Sequence, residues 1–411
     1  MTILFDIPGT SRRVFLGTVT AAAGSALLPA IAAPAKAKFT RYNATSPQGR
    51  AMLVSYDRAI RNLLKLDPHD GRNWFRNAFI HAMDCPHGNW WFFTWHRPFV
   101  GYFEQTVRDA SGNPNFAFPY WDWTQQARLP EGLFAGALDP SSAFFNPYIS
   151  SFETFFEFMN PAMSAYWKTL SADQLAQLGT RGMPTLESLW QQAKNYEQSA
   201  MYATTPHARY LTRSNPWLDD KTKVTVSLPT VLKGLSPSTF EAFNSQQTPS
   251  HNSSPTGTTV FGILEGQPHN KTHNNIAGVG HIPNEDYLDF GYMADNLSPV
   301  DPVFFLHHSN MDRLWTVWSR KQQARHLSDK PLQWETFARE PFLFYIDRTG
   351  KPAPRKTAGE SFDIGPFDYD YQPGSGEEIA TPPVTVAAAA AAARPFVGAV
   401  SGGVGAVSVP A

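Results

Sequence analysis

The segment from Asp301 to Trp315, DPVFFLHHSNMDRLW, constrains the fold more than any other stretch. Aspartate followed by proline is a strong helix start, with Asp301 as the expected N-cap and Pro302 at the first helical position. Beyond it Phe304, Met311, Trp315 and Trp318 recur at helical spacing, with His308 among them. His307 lies about 100° round the axis, beside Val303 and Leu314. At least one imidazole must therefore face a packed interior, and other helices must cover it. A lone core-facing histidine is more often structural than a metal ligand, so the remaining histidines decide its meaning.

The rest of the chain reads as more helices. SPQGRAMLVSYDRAIRNLLKLD opens on Ser46-Pro47 and repeats apolar residues at Met52, Leu53, Tyr56, Ile60, Leu63 and Leu64. A second helix is expected from about Gly71 to Met83, carrying His81. DCPHGNWWFF is a tight connection, and a third helix runs from about Thr94 to Ala110. Pro184 to Ala203 and His269 to Ile276 read as helices, and Val224 to Leu228 as a short strand. The expected fold is mainly α, an antiparallel helical bundle with long proline-studded loops and few short strands.

Charge nearly cancels, with 34 Lys+Arg against 35 Asp+Glu, which excludes nucleic acid or an anionic membrane as the main partner. The N-terminus carries SRRVFLG at Ser11 to Gly17, then a short alanine-rich apolar run to about Ile31. Small-residue cleavage sites follow at Ala30-Ile31-Ala32 and Ala35-Lys36-Ala37. Residues 1–37 therefore read as a twin-arginine signal, with a periplasmic or extracellular destination and no lasting membrane anchor. With one cysteine, Cys85, no internal disulfide can form. Residues 38–372 read as the folded domain. Residues 373–411, with GSGEE, TPP and seven alanines (Ala387 to Ala393), read as linker and low-complexity tail.

Six of the twelve histidines form two groups. One is His81, His87 and His96. The other is His269 and His273, four apart on one helix face with Cβ atoms about 5–6 Å apart, joined by one of the pair His307-His308. HNKTH lacks the glutamate of a zinc peptidase helix. Calcium and magnesium want oxygen ligands, and neither group offers the carboxylate of a two-histidine iron site. Neutral imidazoles suit copper, and two three-imidazole coppers facing each other could share one dioxygen.

CPHGNWWFFTWHRPFVGYFEQ, HNKTH, SPVDPVFFLHHSNMDRLWTVW, PYWDW at Pro119 to Trp123 and Tyr369-Asp370-Tyr371 together resemble the type 3 copper family of tyrosinases, catechol oxidases and molluscan haemocyanins. The resemblance covers roughly Asn43 to Tyr371. It implies a bundle holding two copper ions, with His81, His87 and His96 on one and His269, His273 and His308 on the other. His307 and Asp312 are left in supporting roles; Asp312 reads equally as a helix-pairing carboxylate. The C-x-H spacing of Cys85 and His87 resembles that of fungal members, in which the sulfur is bonded to the imidazole carbon as a thioether. The other reading is an ordinary buried cysteine. Glu265 and Asn270 match the glutamate and asparagine that hold a water near the second copper in plant-type members; Glu265 could instead cap its helix. Phe304 and Trp315 read as core before pocket wall.

The implied activity is copper-dependent oxidation of phenols with dioxygen: ortho-hydroxylation of monophenols, oxidation of o-diphenols to o-quinones, or both. The alternatives are an o-diphenol or aminophenol oxidase without monophenolase activity, and a haemocyanin-like dioxygen carrier. The family's C-terminal plug is not complete within these 411 residues. The enzyme is then born active, assisted by a separate copper-loading caddie protein, or a fragment of a longer chain.

Overall fold

Ser46 and Pro47 start the first helix as the spacing requires. Ser46 accepts the Gly49 N–H, and α1 (Pro47–Leu64) buries Leu53, Tyr56, Ile60, Leu63 and Leu64. Gly49 is obligatory there, because a Cβ would lie 2.0 Å from the Asn43 carbonyl oxygen. The computed structural model describes residues 37–194, 208–253, 260–281 and 290–381, all within one unit that begins at Ala37. The expected signal up to Lys36 and the alanine-rich tail beyond Thr381 lie outside the described residues.

Asn73 caps α2 (Trp74–Asp84) by accepting from Phe75 N–H, and every residue of that helix is buried. After the connection Cys85 to Trp91 comes α3 (Phe92–Ser111), closed by Gly112 in the left-handed conformation (φ 66°). There follow α4 (Phe152–Trp167), α5 (Ala172–Thr180) and α6 (Leu186–Lys194). The C-terminal part of the helix expected over Pro184 to Ala203 falls outside the described residues. Next come α7 (Asp220–Thr225), α8 (Leu228–Leu235), α9 (Asn270–Ala277), α10 (Val303–Ala324) and α11 (Trp334–Ala338). At the centre α3 packs on α1 and on α10. Phe99, Phe103, Phe118 and Phe305 interlock there with ring centroids 4.5–6.1 Å apart.

Two expectations need correction. Val224 to Leu228 is no strand: it forms the end of α7, a break and the start of α8. Asp219 caps α7 by accepting the Thr222 N–H at 2.6 Å, while Val224 is 66% exposed and has no sheet to pair with. Capping beats β-propensity where no neighbouring strand exists. The helix expected from Asp301 starts at Val303, preceded by Pro302. Asp301 still accepts the Val303 N–H, at 3.0 Å, and also pairs with the buried Arg209.

The short strands β1 (Phe39–Arg41) and β2 (Tyr369–Tyr371) pair in parallel, Phe39 with Tyr369 and Arg41 with Tyr371. Packing continues past the Pro373 boundary. Ser375 N–H donates to Asp122 at 2.8 Å, and Arg313 donates to the Ser375 carbonyl at 2.9 Å. Among the described residues no helix is long and apolar enough to cross a membrane.

Candidate metal centre

Helix starts and stops place the six histidines. His81 sits in the last turn of α2, His87 on the following loop and His96 one turn into α3. His269 ends a π-helical turn (Glu265–His269) that leads into α9, where His273 lies one turn on. His308 comes from the first half of α10.

One candidate donor atom each from His81, Cys85, His87 and His96 lies within 4.8 Å of all the others, and the same holds for His269, His273 and His308. The second group is all nitrogen as expected; the first adds the Cys85 sulfur. The groups adjoin. His96 stacks on His308 with centroids 4.2 Å apart at 14°, and His87 lies 5.9 Å from His269.

Backbone carbonyls fix the tautomers. His81 Nδ1 is 2.8 Å from the Asn296 oxygen, His96 Nδ1 is 2.8 Å from the Phe92 oxygen, and His273 Nδ1 meets the Met293 oxygen. A carbonyl only accepts, so each Nδ1 carries the proton and each Nε2 keeps its lone pair for the site. His81 Nε2 is buried and unpartnered. His308 Nε2 faces His269 Nε2 at 3.3 Å and His273 Nε2 at 3.2 Å. Three ring nitrogens converging at such distances make a ready ligand set, so the donor chemistry fits a metal.

Burial, reinforced by neighbouring imidazoles, pushes His81, His96, His269 and His308 well below the usual imidazole range. Burial alone takes His273 down to about 4. His87 is exposed on the surface, yet the atoms crowded round its ring, then His273 and Arg181, push it to about 3. All six are held neutral, the form in which an imidazole can bind a metal. His307 is fully buried, 5.2 Å from His269 and edge-on to Trp123 at 5.7 Å. It packs the site from behind.

Cys85 is 3% exposed. Its Sγ stands 3.7 Å from Nε2 and 3.9 Å from Nδ1 of His87, nearly equidistant from the atoms that flank the ring's Cε1, and 3.2 Å from His96 Nε2. Glu265 accepts the Gly88 N–H at 2.6 Å and pairs with the Ser245 hydroxyl, so it ties the His87 loop to the turn that carries His269. Burial pushes its carboxyl up to about 8, against the pull of those two hydrogen bonds. The Asn270 Oδ1 is 2.7 Å from His269 Nδ1. Glu265 and Asn270 therefore make separate contacts and share no direct hydrogen bond.

Asp312 forms no hydrogen bond with any of the six rings. It receives Arg97 Nε at 2.6 Å, Arg41 Nη1 at 3.2 Å, Tyr371 OH at 2.6 Å and Tyr369 OH. Burial would raise this carboxyl, but the two arginines and two tyrosines hold it below its usual range. The helix-pairing reading is the one the contacts describe: Asp312 joins α10 to α3 beside His96. Phe304 and Trp315 are fully buried. Phe304 stacks on His308 at 4.1 Å and Trp315 lies under Arg97, so both are core.

Sequence reasoning missed three contributors. The carbonyls of Phe92, Met293 and Asn296 are backbone and carry no residue signature. Phe92 itself lies 4.6 Å from His96 and 4.7 Å from His269, a wall shared by both groups. His251 is buried between Asp84 (2.9 Å) and Glu340 (2.6 Å), just behind the first group; only its buried carboxylate partners mark it.

A family profile described as the common central domain of tyrosinase matches residues 56–321. Relatives include a chloroplastic polyphenol oxidase II of Ipomoea batatas, 22% identical over 341 residues, covering 78% of this chain and 47% of the relative. Another is the tyrosinase HcTyr1 of Hahella sp., 23% identical, covering 72% and 56%. Among solved structures, latent apple tyrosinase superposes with a TM-score of 0.51 at 21% identity, covering 83% of this chain and 64% of the other. A latent aurone synthase gives 0.52 at 18%, covering 83% and 59%. The chain spans about half the length of these curated relatives, and at such identities the structural likeness speaks for the fold. Most of the helical core and all six histidines lie inside the matched span, and the chain belongs to the tyrosinase family.

Proposed function

We propose that the chain oxidises phenols with dioxygen at two copper ions, one held by His81, His87 and His96, the other by His269, His273 and His308. The observation that carries this reading is the stacked contact between His96 and His308, which sets two three-imidazole groups side by side. When bound, the copper pair would supply dioxygen activation and the electron transfer that turns a monophenol or o-diphenol into an o-quinone.

The protein contributes geometry. Main-chain carbonyls hold the Nδ1 protons of His81, His96 and His273, which turns each Nε2 toward the metal. Phe92 packs against His96 and Phe304 against His308. Glu265 and Asn270 are proposed to position a water that receives the phenol's proton; the Glu265 carboxyl can accept it only when ionised. Cys85 is proposed to carry a thioether to His87, supported by the near-equal distances of Sγ from the two ring nitrogens. If it does, the peptide spanning Cys85 and His87 will be lighter by two hydrogens and resist thiol alkylation; an alkylated Cys85 in the active protein refutes it. Export by the twin-arginine route belongs to the same reading and rests on SRRVFLG.

Metal analysis tests the core of the proposal. The copper-loaded chain should hold about two coppers and His308→Ala about one, if three imidazoles hold each ion. Assays with tyrosine, catechol and an o-aminophenol then define the activity. Two coppers retained in His308→Ala would overturn the assignment.

A further inference from the structure

His87 is the member of the first group whose ring has no main-chain anchor. Nδ1 of His81 and of His96 each meets a backbone carbonyl oxygen. The polar contacts of the His87 ring nitrogens among the described residues are those to Cys85 Sγ, at 3.9 and 3.7 Å. Where that ring sits is therefore decided by the connection from Cys85 to Trp91 that carries it.

Two neighbouring residues, His251 and Asn252, hold this connection from behind. The His251 ring is fully buried, with Nε2 2.9 Å from Asp84 Oδ1 and Nδ1 2.6 Å from Glu340 Oε1. Its backbone N–H donates to the same Glu340 oxygen at 2.7 Å. Asp84 ends α2 just before Cys85, and its Oδ2 accepts the Nε1–H of Trp95, the residue before His96, at 2.8 Å. Beyond His87, Asn89 Nδ2 donates to the His251 carbonyl at 3.1 Å. In between, Arg181 donates to the Cys85 carbonyl at 2.8 Å and to Asn252 Oδ1 at 3.3 Å.

An ionised carboxylate only accepts, so an imidazole lying between two of them carries a proton on each nitrogen. Burial pulls this ring down, but Asp84 and Glu340 hold it above the usual imidazole range. Turning the ring would strand a buried carboxylate, which fixes its orientation.

We propose that His251 is a positioning residue for the first metal group: clamped between Asp84 and Glu340, it sets the Cys85 to Trp91 connection so that His87 stays within reach of the ion held by His81 and His96. The inference rests on the two-copper reading and adds to it a residue that touches neither metal nor substrate.

Copper titration of the metal-free full chain tests it. The parent should bind copper at two sites. In His251→Gln one site should weaken by about tenfold, the scale seen when the partner behind a ligand is lost, and the other should keep its affinity. His87→Ala should weaken the same site. Adding His251→Gln to His87→Ala should then change copper affinity no further, because both act through one ring. A merely structural histidine would lower affinity equally in either background, and that additive result would overturn the proposal. So would two sites of full affinity in His251→Gln, or equal weakening of both. If the uncompensated carboxylate unfolds that variant, the double variant His251→Gln, Glu340→Gln keeps the cluster's net charge and carries the same test. A parent chain that binds no copper would instead bring down the two-copper reading itself.

Discussion

Histidine tautomers and one carboxyl govern the site at the scale of single residues. Glu265 sits buried with its carboxyl pushed up to about 8, against about 4.3 for an unperturbed glutamate. A folded-state value above the unfolded one means that the folded chain holds the extra proton. The stability this group contributes is therefore complete below about pH 4 and is lost as pH rises through 8. Glu265→Gln removes that loss while leaving an oxygen for the Gly88 N–H. In the metal-free protein, Tm of the variant relative to the parent should climb from pH 6.5 to 8; parallel curves in thermal denaturation would refute the assignment. The sequence showed the histidine pair but not which member turns toward its partners; only the family resemblance chose His308. In the structure His308 Nε2 meets His269 Nε2 and His273 Nε2, while His307 packs against Trp123. What tunes these rings was illegible because it is made of backbone carbonyls, which carry no residue signature, two of them from other segments.

Between elements, the decisive joint is Asp312. Its carboxylate gathers Arg97 from α3, Arg41 from β1 and Tyr369 and Tyr371 from β2. Arg97 follows His96 in sequence, so the same contact that locks α3 to α10 sets the angle between His96 and His308. Removing one partner of a buried ionic cluster strands the others, and Asp312→Ala should cost about 3–5 kcal/mol in chemical denaturation. A loss below about 1 kcal/mol would mean that the cluster is not what joins the two helices. Of the six candidate positions, His269 and His273 were readable from their one-turn spacing, while the grouping of His81, His87 and His96 and the choice of His308 leaned on the family resemblance. Val224 to Leu228 departs from its expected strand because β-branched residues signal one only where a partner strand exists. Asp219 and Ser227, standing before two short helices, are the stronger signals.

For the whole molecule, β1 and β2 close the core by pairing residues 330 positions apart, Phe39 with Tyr369 and Arg41 with Tyr371. Arg41 lies over the Tyr369 ring at 3.6 Å and donates to Glu104 at 2.8 Å. Tyr369-Asp370-Tyr371 was recognisable as a motif, but its long-range partner strand was not, because three residues carry too little periodicity to predict a pairing. Packing outruns its expected end for a related reason: glycine and glutamate at Gly374 to Glu378 look like linker, yet they sit on Asp122 and Arg313. Cys85 gives the fold a last property. The o-quinones proposed as product are electrophiles that scavenge thiols faster than amines, and an enzyme releasing them bathes itself in its own alkylating agent. The chain has a single cysteine, and its sulfur is buried against an imidazole, to which the proposed thioether would bond it. A quinone released at this site would therefore find no exposed thiol among the described residues to alkylate.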